Sequence, residues 1–214
     1  MKKLDLKKDL KYLYMPSAKK IEIVKVPAMN FAMIDGAIEP GLAPGTSPLF
    51  QENMAALYGI AYTLKFMLKL RKDDPVDYPV MALEGLWWVK DGNFYIDVKD
   101  NWLYTVMIMQ PDLVTPAVFA EALAQLRKKK GDQPGFARLR LASFEEGLCV
   151  QTMHIGPYAT EPATVARMQA FAAENGYTMK HGKHHEIYMG NPLRAAPEKL
   201  KTVLRHGVER NAGW

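Results

Sequence analysis

A single cysteine, Cys149, stands among 214 residues. No intrachain disulfide can form, and a reducing, cytoplasmic setting is the expectation. Long apolar runs are missing as well: none approaches the ~20 residues that a membrane-spanning helix needs, so no membrane partner is expected. The opening MKKLDLKKDLKYLY is basic but carries no apolar stretch behind it, which does not fit a secretory signal. Also absent are a helix-turn-helix pattern, a ribonucleoprotein aromatic motif and paired Cys/His zinc spacing. The net charge of +5 therefore does not imply direct nucleic-acid binding. Much of it sits on seven lysines within residues 1–20, and Lys128, Lys129 and Lys130 close a predicted helix, where cations meet the negative end of the helix dipole.

What is present is the balance of an ordinary globular chain, with 49% apolar and 24% charged residues. Its two halves echo each other. Phe31-Ala32-Met33-Ile34-Asp35-Gly36 and Gln151-Thr152-Met153-His154-Ile155-Gly156 each end a predicted strand with a methionine three residues before a glycine. A helix follows each time. Over about 48–70, Phe50, Met54, Leu57, Tyr58, Ala61, Leu64 and Leu68 recur at three-to-four spacing, and Tyr62 reads as core. Over about 162–175 the stripe is Val165, Met168, Phe171 and Ala172, with Pro162 in the first turn and Asn175-Gly176 as the stop. Strands over 83–89 and 184–189 come next, and 103–106 and 200–203 close the two halves. Between them Thr115 caps a helix over about 115–130 that ends at Gly131. The expected fold is α+β: duplicated β-α-β-β units with pseudo-twofold symmetry, antiparallel sheets with helices on one face, and a ligand groove between the lobes. A basic arm over 1–20 precedes a single domain over 21–210, with repeats at about 21–110 and 136–208.

Candidate chemistry concentrates in His184-His185-Glu186-Ile187-Tyr188. On a strand, His184, Glu186 and Tyr188 share one face, and His185, Ile187 and Met189 the other. The second face is the more apolar, so the acid is expected on the side that lines a cleft. A carboxylate set among aromatic rings suits a flat, cationic or electrophilic organic ligand. Trp87 and Trp88 are adjacent and must face opposite ways, so one of them is available to the ligand. Glu84 shares a face with Trp88, and if that face lines the groove it supplies a second carboxylate. Phe94, Tyr95, Trp102 and Tyr104 belong with the two tryptophans to one aromatic cluster. Tyr158, after Gly156-Pro157, can project over a cleft mouth. His154 reads first as an ordinary strand residue and is carried as a further ligand contact. A ring-enclosed carboxylate can pair with a cation or orient a water while a tyrosine hydroxyl steadies developing negative charge. No cofactor is implied, and no metal: His184 and His185 face apart, unlike the helical His-x-x-x-His of zinc hydrolases.

These motifs, taken together, resemble the stand-alone GyrI-like small-molecule-binding proteins, which are related to gyrase inhibitory protein and to effector domains of multidrug-responsive transcription activators. The resemblance runs through Tyr14-x-Pro16-Ser17-Ala18-Lys19, Asn30-Phe31-Ala32-Met33-Ile34-Asp35-Gly36 and Leu83-Glu84-Gly85-Leu86-Trp87-Trp88. It continues in Met153-His154-Ile155-Gly156-Pro157-Tyr158, Gly182-Lys183-His184-His185-Glu186-Ile187-Tyr188 and Ala196-Pro197-Glu198-Lys199-Leu200. It implies an aromatic-lined groove for planar hydrophobic or cationic compounds, with Glu186 as its central acid. Some stand-alone members hydrolyse cyclopropane-bearing DNA-alkylating natural products; by that analogy Glu186 orients the water, Tyr158 or Tyr188 assists, and a tryptophan stacks on the ligand. The alternatives it leaves open are a drug sink or sensor without chemistry and a module acting on DNA gyrase.

Overall fold

The computed structural model describes residues 1–90, 94, 101–190 and 194–211. Tyr95, one of the aromatic residues noted in the sequence, lies outside them. The N-terminal segment holds β1 (Lys2–Lys3), α1 (Leu6–Asp9) and α2 (Lys11–Tyr14). Strands β2 (Glu22–Val26) and β3 (Met29–Ala37) lead into α3 (Pro48–Lys69), followed by β4 (Val76–Asp77), β5 (Leu83–Val89) and β6 (Trp102–Gln110). Helices α4 (Pro116–Lys130) and α5 (Pro134–Ala137) connect to β7 (Arg140–Phe144) and β8 (Gly147–Ile155). Then come α6 (Glu161–Glu174), β9 (Tyr177–Met179), β10 (His184–Tyr188) and β11 (Lys201–Arg210).

Local chemistry explains the helix boundaries. Ser47 accepts a hydrogen bond from the Phe50 amide at 3.0 Å and Pro48 fills the first turn, where its missing N–H is no loss. Thr115 caps α4 in the same way through the Val118 amide. The buried side of α3 carries Leu57, Ile60, Leu64 and Leu68, each worth about 1.5–3 kcal/mol when removed from water. Tyr62 is not among them: it is half exposed and stacks on Phe66 along the outer side of the helix, against the sequence expectation. Three-to-four spacing fixes a stripe, but a 22-residue helix has room for a second one that faces outward.

Nine strands form one antiparallel sheet in the order β2-β8-β11-β10-β5-β6-β3-β7, with β9 paired to the far end of β11. The order is a palindrome of roles: each half contributes two strands, a helix and two more strands, and the β10–β5 pair lies at the centre. Along the eight-strand path each half thus runs β-β-α-β-β. Its leading strand was not legible because it pairs in the other half, β2 on β8 and β7 on β3. Helix α3 lies over β3 and β6, α6 over β8 and β9, and the central pair runs between them. The opposite face is covered at its centre by α2, whose Leu13 and Tyr14 are fully buried. The basic N-terminal stretch thus packs onto the sheet through α2.

Candidate functional site

Antiparallel pairing sets which side chains share a face. His184 lies opposite Trp87, Glu186 opposite Gly85 and Tyr188 opposite Leu83. The five side chains of this set, Gly85 having none, point to the helix side, where Trp87 meets Phe50 of α3 at 5.7 Å between ring centroids. The Trp87 indole N–H donates to the Tyr188 hydroxyl at 2.9 Å, and Tyr158 packs edge-on against Tyr188 at 5.9 Å. Gly85 makes room for this: a Cβ there would lie 2.7 Å from the indole nitrogen and 3.0 Å from the Tyr188 oxygen. A side chain at this position, opposite Glu186, would push both rings away. Glu186 and His184 are only 5% and 7% exposed, so the acid is buried among the rings and does not face an open groove.

Glu161, from the first turn of α6, completes the cluster and was not singled out in the sequence. His184 Nε2 lies 3.3 Å from both Glu161 Oε2 and Glu186 Oε1. On its other side His184 Nδ1 faces His206 Nε2 at 3.1 Å, and Phe94 stacks on the ring at 17°. Burial opposes a charge on His184, but the two carboxylates outweigh it and push its pKa up to about 9. Burial and the charge of Glu186 push Glu161 up to about 7, and burial with the neighbouring imidazolium pushes His206 down to about 3. Burial, then the Glu186 charge, holds Tyr158 up at about 12, so both site phenols stay protonated near neutral pH, Tyr188 being raised too. The only signal for Glu161 was its place in the first turn after Tyr158, which proximity in sequence does not turn into a contact.

The other expected site residues divide. Trp87 is the indole on the Glu186 side. Trp88 points to the opposite face, where the Lys183 ammonium sits 3.9 Å from its ring centroid. Glu84 is on that opposite face too, fully buried: it accepts from the Tyr14 hydroxyl at 2.6 Å and pairs with His185 at 3.1 Å. It is not a second groove carboxylate, because the presumption that one face of β10 is apolar fails; His185 is as buried as Ile187. Tyr104 is on the helix side but wedged beneath α3, accepting from the Asn53 amide at 2.8 Å. His154 is on the same side, bonded to Thr164 and to the Pro157 carbonyl, and burial lowers its pKa. Both hold elements in place around the cluster.

Residues 19–206 match the GyrI-like small molecule binding domain. The chain belongs to this family. It is 43% identical to an uncharacterized conserved protein from Listeria innocua, covering 96% of this chain and 100% of that one with a TM-score of 0.86. A hydrolase from Listeria innocua is likewise 43% identical, over 97% and 100% of the two chains, with a TM-score of 0.84. The C-terminal domain of EcmrR shares the fold at 13% identity and a TM-score of 0.53, over 89% of this chain and 98% of that one. No curated protein matches. As a GyrI-like chain this is a small-molecule-binding domain, and among its described residues no helix is long and apolar enough to cross a membrane.

Proposed function

We propose that this GyrI-like chain takes a planar hydrophobic, cationic or electrophilic molecule between Trp87, Tyr158 and Tyr188, and that it opens cyclopropane-bearing alkylators with water as a protection against xenobiotics. The observation that carries the reading is a buried carboxylate, Glu186, set beside aromatic rings and held by His184. A cation entering this space meets π faces, worth ~0.5–2 kcal/mol each when desolvated, and an opposite charge. The ring-opening step balances as follows. Glu186 takes a proton from a water whose oxygen attacks the strained ring carbon. The ring C–C bond breaks, and its electron pair moves into the conjugated carbonyl, whose oxygen becomes a phenolate. That oxygen is met by a phenol that stays protonated: Tyr188 accepts from Trp87 and so keeps its own proton to donate. Return of the proton from Glu186 yields the neutral phenol. The hydrolase from Listeria innocua at 43% identity favours a hydrolytic reading over binding alone.

Because Glu186 is 5% exposed, the rings have to part for a ligand to enter, and binding is expected to perturb tryptophan fluorescence. The test is incubation of purified protein with a cyclopropane-bearing aromatic alkylator, following the water adduct by mass spectrometry. Multiple-turnover product from the wild type and its loss in Glu186→Gln support the hydrolase. Saturable binding without product would leave a sink or sensor.

A further inference from the structure

We infer that Glu161, His184 and Glu186 form a site for one divalent transition-metal ion of the zinc class. The three ligand atoms lie within 4.8 Å of one another and all three residues are buried. His184 Nε2 stands 3.3 Å from an oxygen of each carboxylate. A tetrahedral ion with bonds of ~2.0–2.1 Å sets its ligands about 3.3–3.4 Å apart. The two nitrogen–oxygen separations fit the edges of such a polyhedron, and they are long for charge-assisted hydrogen bonds, which run ~2.7–2.9 Å. The remaining edge, between the two carboxylates, lies within 4.8 Å.

A second observation points the same way. Glu161 Oε1 is buried and is the one side-chain oxygen or nitrogen among the described buried residues with no hydrogen-bond partner. Glu161 is 1% exposed, so bulk water does not reach that oxygen, and leaving such a group unmet costs ~1–3 kcal/mol or more. A cation between the carboxylates supplies what is missing. The surroundings are those of a metal ligand: His206 faces Nδ1 of His184 at 3.1 Å and Phe94 lies flat against the ring, so Nε2 is presented to the carboxylates in a fixed direction. One imidazole and two carboxylates select transition ions over magnesium or calcium, and three protein ligands leave a fourth position for water or a ligand atom. The ion and an organic cation would draw on the same carboxylates and so compete.

The experiment uses untagged full-length protein, stripped with a chelator, loaded with zinc chloride and passed through gel filtration, with bound metal counted by mass spectrometry. Cobalt loading gives a second readout, the visible absorption of a tetrahedral ion. One zinc per chain is expected. It is lost in His184→Ala and in Glu161→Gln, weakened about 10–100-fold in His206→Ala, and unchanged in Glu84→Gln. Glu161→Gln keeps the shape of the side chain, so it decides the matter if His184→Ala does not fold. A wild type that retains no stoichiometric zinc, or a Glu161→Gln variant that retains as much as the wild type, overturns the site. Ethidium binding to the metal-free protein reports separately on the organic-ligand reading, so either proposal can fail alone.

Discussion

Strand β10 places a histidine and a glutamate cluster on each of its faces, and the two clusters differ in how completely they are paired. On the α2 side, His185 sits between Glu84 at 3.1 Å and Glu146 at 2.9 Å. Tyr14 donates to Glu84, while Arg205 reaches Gln151 and the Leu13 carbonyl. Two acids face two bases, and among the described residues no buried side-chain oxygen or nitrogen there lacks a partner. On the helix side, two acids share one imidazole and a carboxylate oxygen is left over. Burial of charge is common to both faces. What separates them is surplus: the closed cluster fastens the N-terminal segment to the sheet, and the other leaves a carboxylate oxygen unmet, where the proposed ligand or ion would bind.

This contrast can be broken by substitution. The largest effect is expected for Glu186→Gln in the ring-opening assay, a fall of ~10²–10⁴ in turnover if the acid serves as general base. Stability should barely change, and a urea midpoint well below the wild type would move Glu186 into the structural class. Next comes Glu84→Ala on the other face. Removing one partner of a buried ion pair costs ~3–5 kcal/mol, read as a lower urea midpoint, with the activity of the remaining folded protein retained. Tyr14→Phe removes one hydrogen bond to a charged group, ~1.5–3 kcal/mol, and should loosen the N-terminal segment first, as faster amide exchange over residues 11–14. Gly85→Ala sharpens the comparison from the helix side: a Cβ at that point collides with Trp87 and Tyr188, so ligand affinity should drop while Trp88→Ala leaves it within about twofold.

The smallest effect belongs to a group of three charges remote from both clusters. Lys65 and Lys69 bind Asp77 and hold its pKa down to about 2. A carboxyl depressed in the folded state contributes stability above its unfolded value of ~3.9 and loses it as pH falls towards 2. Asp77→Asn should therefore narrow the difference in urea midpoint between pH 6 and pH 3 slightly, without touching ligand binding.

Much of the fold was legible because its helices carry their own punctuation. Ser47-Pro48, Thr115-Pro116 and Gly131 mark chain positions whose chemistry is local, and the structure places helix ends there within a residue or two. The palindromic strand order was not legible, since β2 and β7 are set by pairing with the opposite half. Within the site, alternation on β10 correctly grouped His184, Glu186 and Tyr188. It could not say that both faces are buried, because a nine-stranded sheet covered by α3 and α6 on one side and by α2 on the other has no wet face at its centre. Glu84 was assigned to the ligand for that reason, and Glu161, brought to His184 by a helix 23 residues away in sequence, was overlooked.

The most direct test of the division between faces is an ethidium titration of two isosteric variants, Glu186→Gln and Glu84→Gln, with urea midpoints measured alongside. Glu186→Gln should weaken binding by about tenfold or more, equivalent to ~1.4 kcal/mol, at an unchanged midpoint; Glu84→Gln should bind like the wild type at a lowered midpoint. Equal losses of affinity in both variants, or a loss confined to Glu84→Gln, would contradict the assignment of ligand recognition to the helix side of β10.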